Sequence, residues 1–253
     1  MQHCEFTQTD RGIGTLTINN GTALNVLDSA TIQKVSATIR NLAKQPDLKA
    51  LILRGQGDKA FVGGVDLHEL PTLGAAEAVA FITRLAELCE SVRDFPAPTI
   101  ARIPGWCLGG GLELAAACDL RYGASGARFG MPEVRMGLPS VIHANLLTRL
   151  IGEGRTRWLL LTGAVIDAAK ALDWGFLNDT VELPALDATI ERAVDELLAG
   201  APQAVRTQKR LLQTWEDAAL ERGIKESIAA FGASFETGEP AEYINRFFAG
   251  KKR

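Results

Sequence analysis

The sequence predicts an α/β fold in one main domain, with strands and helices alternating to about residue 130 and mostly helices after it. Three observations lead to this prediction. Strand-like and helix-like apolar patterns take turns along the first half of the chain. Two stretches of that half repeat the order strand, glycine-bearing loop and helix start. The length of 253 residues is within the size at which a single hydrophobic core still grows.

Strands are predicted first at GIGTLTIN, where Leu16 and Ile18 alternate with Thr15 and Thr17, so that one face of the strand would be buried. The run KALILRG, closed by Gly55, predicts a short buried strand, and PTIARIPG predicts another. We expect these strands to form the layers of the core.

Helices are predicted between these strands by apolar residues at helical spacing. The first helix begins at Asp28 or Ser29, because either side chain suits the N-cap position. The second helix ends before Pro96 and Pro98. The apolar positions of the two helices are Ile32, Val35, Ile39 and Leu42, and Val79, Ile82, Leu85, Cys89 and Val92.

The last third of the chain shows helical spacing almost throughout. One helix ends at Gly200 and the next begins at Pro202. The apolar positions of the first of these helices are Ile190, Val194 and Leu197. We therefore divide the chain into a core of residues 1–195 and a C-terminal helical region of residues 196–253.

Composition and charge exclude several classes of protein. The net charge is −3, from 27 basic and 30 acidic residues without a long basic run, so we expect no nucleic-acid partner. No apolar run approaches the roughly 20 residues that a membrane-spanning helix needs, and residues 1–10 lack the pattern of a secretory leader. The four cysteines show no metal-ligand spacing, so we expect a reduced, cytoplasmic protein without a metal site or a membrane partner.

The two glycine-bearing loops carry the first functional signal. ALILRGQGDKAFVGGVDLHEL places Gly63 and Gly64 before a helix that we expect to open near Asp66, and PTIARIPGWCLGGGLELAAA places residues 109–111 before a helix that carries Glu113. Glycines let the backbone approach a ligand closely, and the first N–H groups of a helix lack partners within it. If the loops face each other, one N–H from each could bind the same oxygen, as in an oxyanion hole.

Other interpretations of these loops stay open at this level. A single glycine-rich turn before a helix is more often a turn or a packing device, and Glu113 alone could simply complement the helix dipole. Neither loop ends in the Gly-Lys-Ser or Gly-Lys-Thr of a phosphate-binding loop, and GGGLE only loosely matches the dinucleotide fingerprint. Nucleotide binding through these loops is therefore disfavoured.

Four motifs, taken together, make the chain similar to the crotonase family, the enoyl-CoA hydratase and isomerase superfamily, over nearly its full length. They are GDKAFVGGVDL at 57–67, IPGWCLGGGLELAAACDLRY at 103–122, ARFGMPEVRMGLP at 127–139 and LLLTGAVIDAAKALDWGFLNDTV at 159–181. The resemblance implies a spiral of strand-strand-helix repeats. It also implies a C-terminal helical region that mediates trimerisation, in a trimer or a dimer of trimers.

The same resemblance implies the roles of four residues. The main-chain N–H groups of Val65 and Gly110 would form an oxyanion hole for the thioester carbonyl of an acyl-CoA. Glu113 and Glu133 would be the acid and base of an enoyl-CoA hydratase, with Glu133 handling the proton at the α carbon and Glu113 holding and activating the water. Which of them is acid and which is base stays open. No cofactor would be needed, because coenzyme A is part of the substrate.

Alternatives to hydration remain at this stage. Relatives that keep one or both carboxylates also carry out double-bond isomerisation, thioester hydrolysis, C–C cleavage or decarboxylation of acyl-CoA substrates. A non-catalytic CoA-binding or scaffolding protein is an alternative of another class. Such a protein would keep the glycine loops but would not need both Glu113 and Glu133, so the pair favours an enzyme that hydrates its substrate.

The resemblance further implies a set of substrate-contacting residues and two departures from the family pattern. The set is Ala23, Phe61, Gly63, Asp66, Leu67, His68, Trp106 and Gly109. GLPSVIHANLLTRLIG, from Gly137, replaces a glycine-rich stretch that would border the acyl pocket. Gly21 and Thr22 replace a basic residue before the loop TALNVL near the adenine, and His68 replaces a frequent lysine.

Some remaining side chains can be assigned in outline. Arg54, Lys59 or the tail lysines of a neighbouring subunit would contact the phosphates of coenzyme A. His143, alone in an apolar segment, is expected to pack without a catalytic role. Trp106 either packs or lines the acyl tunnel. Packing in the core or in an interface is expected for Trp158, Trp174 and Trp215.

Overall fold

The computed structural model describes residues 3–250, without the side chains at positions 214, 215, 217–227, 230, 234, 237, 239, 243 and 247. The strands are β1 (Cys4–Gln8), β2 (Ile13–Ile18), β3 (Ala50–Gly55), β4 (Ala60–Val62), β5 (Thr99–Ile103), β6 (Trp106–Leu108), β7 (Leu120–Ala124), β8 (Arg128–Gly130), β9 (Val165–Asp167) and β10 (Asp179–Val181). The α-helices are α1 (Ser29–Leu42), α2 (Ala75–Arg93), α3 (Gly110–Ala116), α4 (Leu147–Leu150), α5 (Glu153–Thr162), α6 (Ala168–Asp173), α7 (Leu186–Ala199), α8 (Pro202–Ser234) and α9 (Glu239–Gly250). Short 3₁₀ helices cover Leu70–Thr72, Pro132–Met136, Ile142–Leu146, Leu183–Ala185 and Phe235–Thr237.

Two sheets organise the chain. The larger sheet has the order β1-β2-β3-β5-β7-β10, in which β1 is antiparallel to β2 and the other neighbours are parallel. The smaller sheet has the order β4-β6-β8-β9, with β9 antiparallel to β8. The chain passes from β3 to β4, from β5 to β6 and from β7 to β8, each time leaving the larger sheet for the smaller one, and α2 and α3 follow the first two pairs. These strand-strand-helix turns confirm the predicted fold class.

The central strands β3 and β5 of the larger sheet are buried on both faces because their side chains alternate between two apolar clusters. On one face Leu53 lies in register with Leu16 on one side and Ala101 on the other, and all three pack with α1 and α2. On the opposite face Ile52 lies opposite Ile100, and both pack against α7. The helices therefore hold the strands in place from both sides, and the loops at the strand ends start from a rigid base.

Several predicted helix ends are confirmed. α1 begins at Ser29, and the Asp28 carboxylate caps it by accepting a hydrogen bond from Thr31 N at 2.6 Å. Gly200 directly follows α7, and Pro202 is the first residue of α8. These boundaries depend on chemistry within a few residues, so the sequence was sufficient to find them.

One prediction of local structure is wrong and another is incomplete. No α-helix opens near Asp66. Its carboxylate accepts a hydrogen bond from His68 N at 2.9 Å in a tight turn, the short 3₁₀ helix Leu70–Thr72 follows, and α2 begins only at Ala75. The part of the chain after residue 130 is mostly helical, as predicted, but it also contains β9 and β10. Each of these strands has three residues, too few for an alternating pattern, and each is fixed by pairing with β8 or β7.

The last two helices pack on the core of the same chain. α8 lies against α2 and the 3₁₀ helix Ile142–Leu146, and α9 lies against Leu70–Thr72 and Pro132–Met136. Among the helices of residues 3–250, none is long and apolar enough to cross a membrane. The division at residue 196 and the role of the C-terminal region in trimerisation stay predictions.

A buried lysine joins α8 to the core. Lys209 Nζ donates to Asp119 Oδ2 at 2.7 Å and to Ala97 O at 3.1 Å, and the Thr99 hydroxyl donates to the same carboxylate oxygen at 2.9 Å. The side chain of Trp215, for which packing was predicted, and the basic tail at 251–253 lie outside what the structure describes.

Candidate active site

The second glycine loop joins β6 to α3 and leaves the start of that helix open. Gly109 has φ +51° and ψ −127°, a conformation suited to glycine, and its N–H donates to Gly130 O at 2.9 Å. Its carbonyl accepts hydrogen bonds from Leu112 N at 2.8 Å and Glu113 N at 3.0 Å. No acceptor among the described residues takes up the N–H of Gly110, the first residue of the helix.

The first glycine loop is held by a single bridge to the segment before α1. Leu27 N donates to Gly64 O at 2.9 Å, and Asp66 N donates to Leu27 O at 3.0 Å. In such a parallel bridge the residue between the two bonded positions directs its own N–H and C=O away from the partner strand. Val65 is that residue, and no acceptor in the described part of the chain takes up its N–H. The loop therefore presents a free donor although no α-helix follows it directly.

The two loops face each other. A Cβ atom on Gly110 would lie 3.4 Å from Val65 Cγ1, and one on Gly109 would lie 3.9 Å from Gly64 Cα. A Cβ atom on Gly64 would lie 3.4 Å from Leu108 O. The glycines thus permit a close approach of two backbone segments, each with an unused N–H.

Glu113 lies one turn into α3 and is buried, with 4% of its surface exposed. Ala144 N donates to its Oε1 at 3.0 Å, and no donor within the described residues reaches Oε2. Burial raises the pKa of Glu113 well above its ordinary value, the negative charge of Glu133 raises it further, and the Ala144 N–H partly offsets both effects. One oxygen of this carboxylate is therefore fixed and the other is available.

Glu133 lies in the 3₁₀ helix Pro132–Met136 beside the second loop. The Ser140 hydroxyl donates to its Oε2 at 2.8 Å, while Oε1 lies so close to Gly109 that a Cβ atom there would overlap it. Burial raises the pKa of Glu133 to about 6, against hydrogen bonds from its own backbone and from Ser140 that lower it. This carboxylate also has one held oxygen and one that borders the loop.

The two carboxylates form a pair without a cationic partner. No lysine or arginine of the described chain makes an ion pair with either of them. Desolvation and mutual repulsion then favour retention of a proton. Burial thus raises the pKa of Glu133 to about 6 and that of Glu113 well above its ordinary value, so both carboxyls hold a proton at higher pH than an exposed glutamate does.

Other residues of the predicted substrate set lie around the first loop. Gly63 N donates to Leu24 O at 2.8 Å, which places the TALNVL segment, with the exposed Ala23, beside the loop. Leu67 is partly buried against the core, and His68 stacks on Phe248 of α9 with ring centroids 4.6 Å apart. Residues from three separate segments therefore surround this loop.

Two members of that set lie elsewhere. The ring of Phe61 is fully buried in the core, so only its backbone is available to a ligand. Trp106 stands at the opposite end of β6 from Gly109 and is 39% exposed. It borders a cleft of about 500 Å³ that none of the residues at the two carboxylates lines. Lys59 also borders that cleft, whereas the partly buried Arg54 donates to Gly55 O at 3.4 Å.

The remaining tryptophans form a separate surface group. Trp158 and Trp174 pack edge to face with centroids 5.7 Å apart, and Lys170 Nζ lies 4.8 Å and 4.9 Å from the two rings. Trp174 packs against the core as predicted, whereas Trp158 is 43% exposed. Neither residue lies at the carboxylate pair.

Sequence reasoning missed the two groups that hold the carboxylates. Ser140 and Ala144 both belong to the stretch after Gly137 that departs from the glycine-rich family pattern. Ile142, between them, has φ +42°, which a β-branched residue rarely adopts. The departure itself was the signal, since a serine in place of a glycine brings a hydroxyl to this position.

His143 packs in the interior, as predicted from its position alone in an apolar segment. It is fully buried, and its Nε2 lies 3.0 Å from Glu90 Oε2 on α2. Burial lowers the pKa of His143, although hydrogen bonding to Glu90 opposes the shift. The neutral imidazole thus joins the 3₁₀ helix Ile142–Leu146 to α2.

No group of three or more histidine, cysteine, aspartate or glutamate side chains in the described chain could hold a metal ion. The cysteines Cys4, Cys89, Cys107 and Cys118 are free and buried. Burial raises the pKa of the Cys89, Cys107 and Cys118 thiols, so these cysteines stay protonated and serve as packing groups.

Comparison with known proteins agrees with this fold. The sequence profile of the enoyl-CoA hydratase/isomerase family matches residues 8–252, and the chain belongs to that family of enzymes. It is 32% identical over 247 residues to a short-chain-enoyl-CoA hydratase of Clostridium acetobutylicum, covering 95% of this chain and 92% of the relative.

A second relative and a solved structure extend this result. The chain is 32% identical over 241 residues to a crotonyl-CoA hydratase of Syntrophomonas wolfei, covering 95% of this chain and 93% of the relative. The crystal structure of an enoyl-CoA hydratase/carnithine racemase from Magnetospirillum magneticum superposes with a TM-score of 0.82 at 31% identity, covering 87% of this chain and 83% of that one.

Proposed function

We propose that this enzyme is an enoyl-CoA hydratase, which adds water to a trans-2-enoyl-CoA to give a 3-hydroxyacyl-CoA. The observation that supports it most is the pair of carboxylates beside two facing backbone donors. The hydratase names of the two relatives support the same reaction. Isomerisation, thioester hydrolysis, C–C cleavage and decarboxylation do not in themselves require two carboxyl groups that act together as acid and base.

The backbone donors would bind the thioester carbonyl. When water attacks the β carbon of the conjugated thioester, negative charge develops on the carbonyl oxygen. The N–H groups of Val65 and Gly110 have no competing acceptors among the described residues and lie on loops that touch, so both could donate to that one oxygen. Loss of one such donor costs about 3 kcal/mol of transition-state stabilisation in known oxyanion holes.

The carboxylates would move two protons in each turnover. In hydration, ionised Glu113 removes a proton from the water as the oxygen bonds to the β carbon, and protonated Glu133 delivers its proton to the α carbon. Afterwards Glu113 is protonated and Glu133 ionised. That form begins the reverse dehydration, and hydration begins from the tautomer with the proton on Glu133. In both directions one carboxyl of the pair begins protonated and the other begins ionised.

The substrate would lie between the loops, with coenzyme A along the first one. Ala23, Gly63, Asp66, Leu67 and His68 stay the proposed contacts of coenzyme A, with the backbone of Phe61 and the second-loop residue Gly109 beside the acyl group. A contact from Trp106 would require the ligand to reach the cleft at the far end of β6. We propose no further cofactor. We also propose a cytoplasmic location and a trimer or a dimer of trimers assembled through residues 196–253.

Absorbance spectroscopy tests the proposed reaction. Loss of the absorbance of the conjugated thioester is followed with short, medium and aromatic trans-2-enoyl-CoA substrates. We expect turnover with at least one chain length and its loss when either glutamate is replaced by glutamine. The absence of turnover with all three substrate types would refute hydration.

A further inference from the structure

We propose that Ser140 is a positioning residue that holds Oε2 of Glu133 and so makes Oε1 the oxygen that exchanges a proton with the substrate. This inference rests on the proposed function and deepens it. It concerns a residue in the stretch after Gly137, where the chain departs from the family pattern.

The contacts of Glu133 separate its two oxygens. The Ser140 hydroxyl donates to Oε2 at 2.8 Å, and Oε1 lies against Gly109, next to the free N–H of Gly110. A thioester whose carbonyl oxygen is bound at Gly110 has its α carbon one bond from the carbonyl carbon. Oε1 is therefore the oxygen on the side of the reacting carbon.

The backbone around Ser140 gives this contact a fixed geometry. Leu138 N donates to Glu133 O at 3.1 Å. Gly137, which directly follows the 3₁₀ helix Pro132–Met136, has φ +75°. Two residues after Ser140, Ile142 has φ +42° in a fully buried position. Backbone in this region persists only when surrounding packing holds it. The turn that brings Ser140 to Glu133 is thus built into the buried part of the site.

The stretch after Gly137 supplies different hydrogen-bond donors to the two glutamates. Glu133 receives a hydroxyl donor that must rotate into place, whereas Glu113 receives the backbone N–H of Ala144 and has an acidic neighbour. A hydrogen bond donated to a carboxylate favours its charged form. Ser140 therefore favours the ionised form of Glu133, whereas Glu113 has only the Ala144 N–H against burial and the charge of Glu133, so the two carboxyls are held by different groups.

A titration of the carboxyl groups measures this role directly. Enzyme with ¹³C-labelled glutamate side chains is titrated by NMR without substrate, and the Glu133 signal is identified by its loss in Glu133→Gln. We expect Ser140→Ala to raise the pKa of Glu133 by about 1 pH unit, since hydrogen bonds to charged groups are among the stronger ones. Ser140→Thr, which keeps the hydroxyl, should titrate like the wild type, and Ser140→Cys should lie between them.

The pH profile of kcat/KM with a trans-2-enoyl-CoA gives the second measurement. The limb that reports Glu133 should move to higher pH in Ser140→Ala by the same amount as the NMR titration. We expect kcat to fall about tenfold, with KM within about twofold, because the carboxylate is no longer held toward the substrate. Ser125→Ala is the matched control, because it removes another serine–glutamate hydrogen bond, to Glu182 Oε1 at 2.7 Å, on an exposed part of the surface. It should leave both measurements unchanged.

Three results would overturn the role of Ser140. They are an unchanged Glu133 titration in folded Ser140→Ala, an equal change in Ser125→Ala, and a failure of Ser140→Thr to restore the wild-type titration. If Ser140→Ala does not fold, an unshifted Ser140→Cys overturns it in the same way. A shifted titration in an enzyme that hydrates no enoyl-CoA would instead support the hold on Glu133 and contradict the proposed reaction.

Discussion

Buried ionisable groups occur in two regions of this molecule. In one region they have an oppositely charged partner, and in the other they do not. Where α8 joins the core, Lys209 is paired with Asp119, and the same carboxylate also accepts hydrogen bonds from Thr99. At the candidate site, Glu113 is as buried as Lys209, whereas Asp119 is partly exposed. Glu113 receives one neutral N–H and faces a second acid, Glu133.

The difference separates a structural charge from a reactive one. A paired carboxylate keeps its charge and contributes to the folded state, whereas an uncompensated one retains its proton and can release it to a substrate. Burial without compensation destabilises the charged form, and proteins tolerate that mainly where the group has a task. The predictions below change one region at a time, and a variant of the other region serves as its contrast.

The largest effect is expected at the carboxylate pair. Glu133→Gln and Glu113→Gln should each lower kcat by about 10³-fold, the central range for loss of a general acid or base. Acyl-CoA affinity, measured by calorimetry, should stay within about threefold, because glutamine keeps the size of the side chain. Glu182→Gln is the control, because Glu182 is the exposed hydrogen-bond partner of Ser125. This variant should keep full activity. A parallel loss of binding would mean that these glutamates are structural.

A side chain at the second glycine loop should have the next largest effect. Gly109→Ala is expected to lower kcat by about 10²-fold, because its Cβ would overlap Glu133 Oε1 and displace the loop beside Gly110. Gly57→Ala is the matched control, since Gly57 also has a positive φ, +70°, but no atom within 4 Å of the added Cβ. Steady-state kinetics should show a rate loss only at Gly109, and equal losses at both positions would attribute the effect to backbone strain alone.

At the contrasting region, the expected change is in stability and not in rate. Lys209→Met should lower the free energy of unfolding by about 2 kcal/mol, because it leaves the Asp119 carboxylate without its cation. Lys34→Met, at an exposed position of α1, should change it by less than about 0.5 kcal/mol. Denaturant titration gives both values. The pH profile of kcat/KM should be that of the wild type, and a shifted profile would show that the two regions are coupled.

The smallest effect is the dependence of stability on pH. The pKa of Glu133 is about 6 in the folded chain against an ordinary 4.5, so folding favours its protonated form. The wild type should then lose up to about 2 kcal/mol of stability as pH rises from about 4.5 to 6 and beyond, through this group alone. Glu133→Gln cannot ionise, so its stability relative to the wild type should rise over that window.

The pH dependence of stability should have the opposite sign in Glu90→Gln. Burial acts to raise the pKa of Glu90, but hydrogen bonding to His143 and the charge of Arg93 lower it below its ordinary value. Glu90 therefore stabilises the fold at higher pH, and its glutamine variant should lose stability relative to the wild type as pH rises from acid to neutral. Thermal unfolding at a series of pH values measures both variants. Equal slopes for Glu90→Gln and Glu133→Gln would contradict the assignment.

The residues of the site could be selected from the sequence because their signals are local. Glycines before a helix, an acid one turn into that helix and an acid after a proline are all visible in short motifs. The structure brings Val65 to Gly110 and Glu133 to Gly109, as a facing pair of loops requires. The α/β class and the ends of α1 and α7 follow from similarly local patterns, whereas the spiral was implied by the family resemblance.

The contacts that could not be predicted from the sequence join segments that are far apart along the chain. Ser140 and Ala144 contact the two glutamates only because the stretch after Gly137 folds over the start of α3. The free N–H of Val65 results from a bridge to Leu27, and no α-helix opens near Asp66, contrary to the expectation. Such contacts leave no periodic or local pattern.

The most direct test of the central claim follows the atoms that the carboxylate pair would move. The enzyme is incubated with a trans-2-enoyl-CoA in D₂O, and the products are identified by NMR. We predict a 3-hydroxyacyl-CoA with one deuterium at the α carbon, formed by the wild type and about 10³-fold more slowly by Glu133→Gln. A shifted double bond, free coenzyme A, a shortened acyl chain or unchanged substrate would contradict the account.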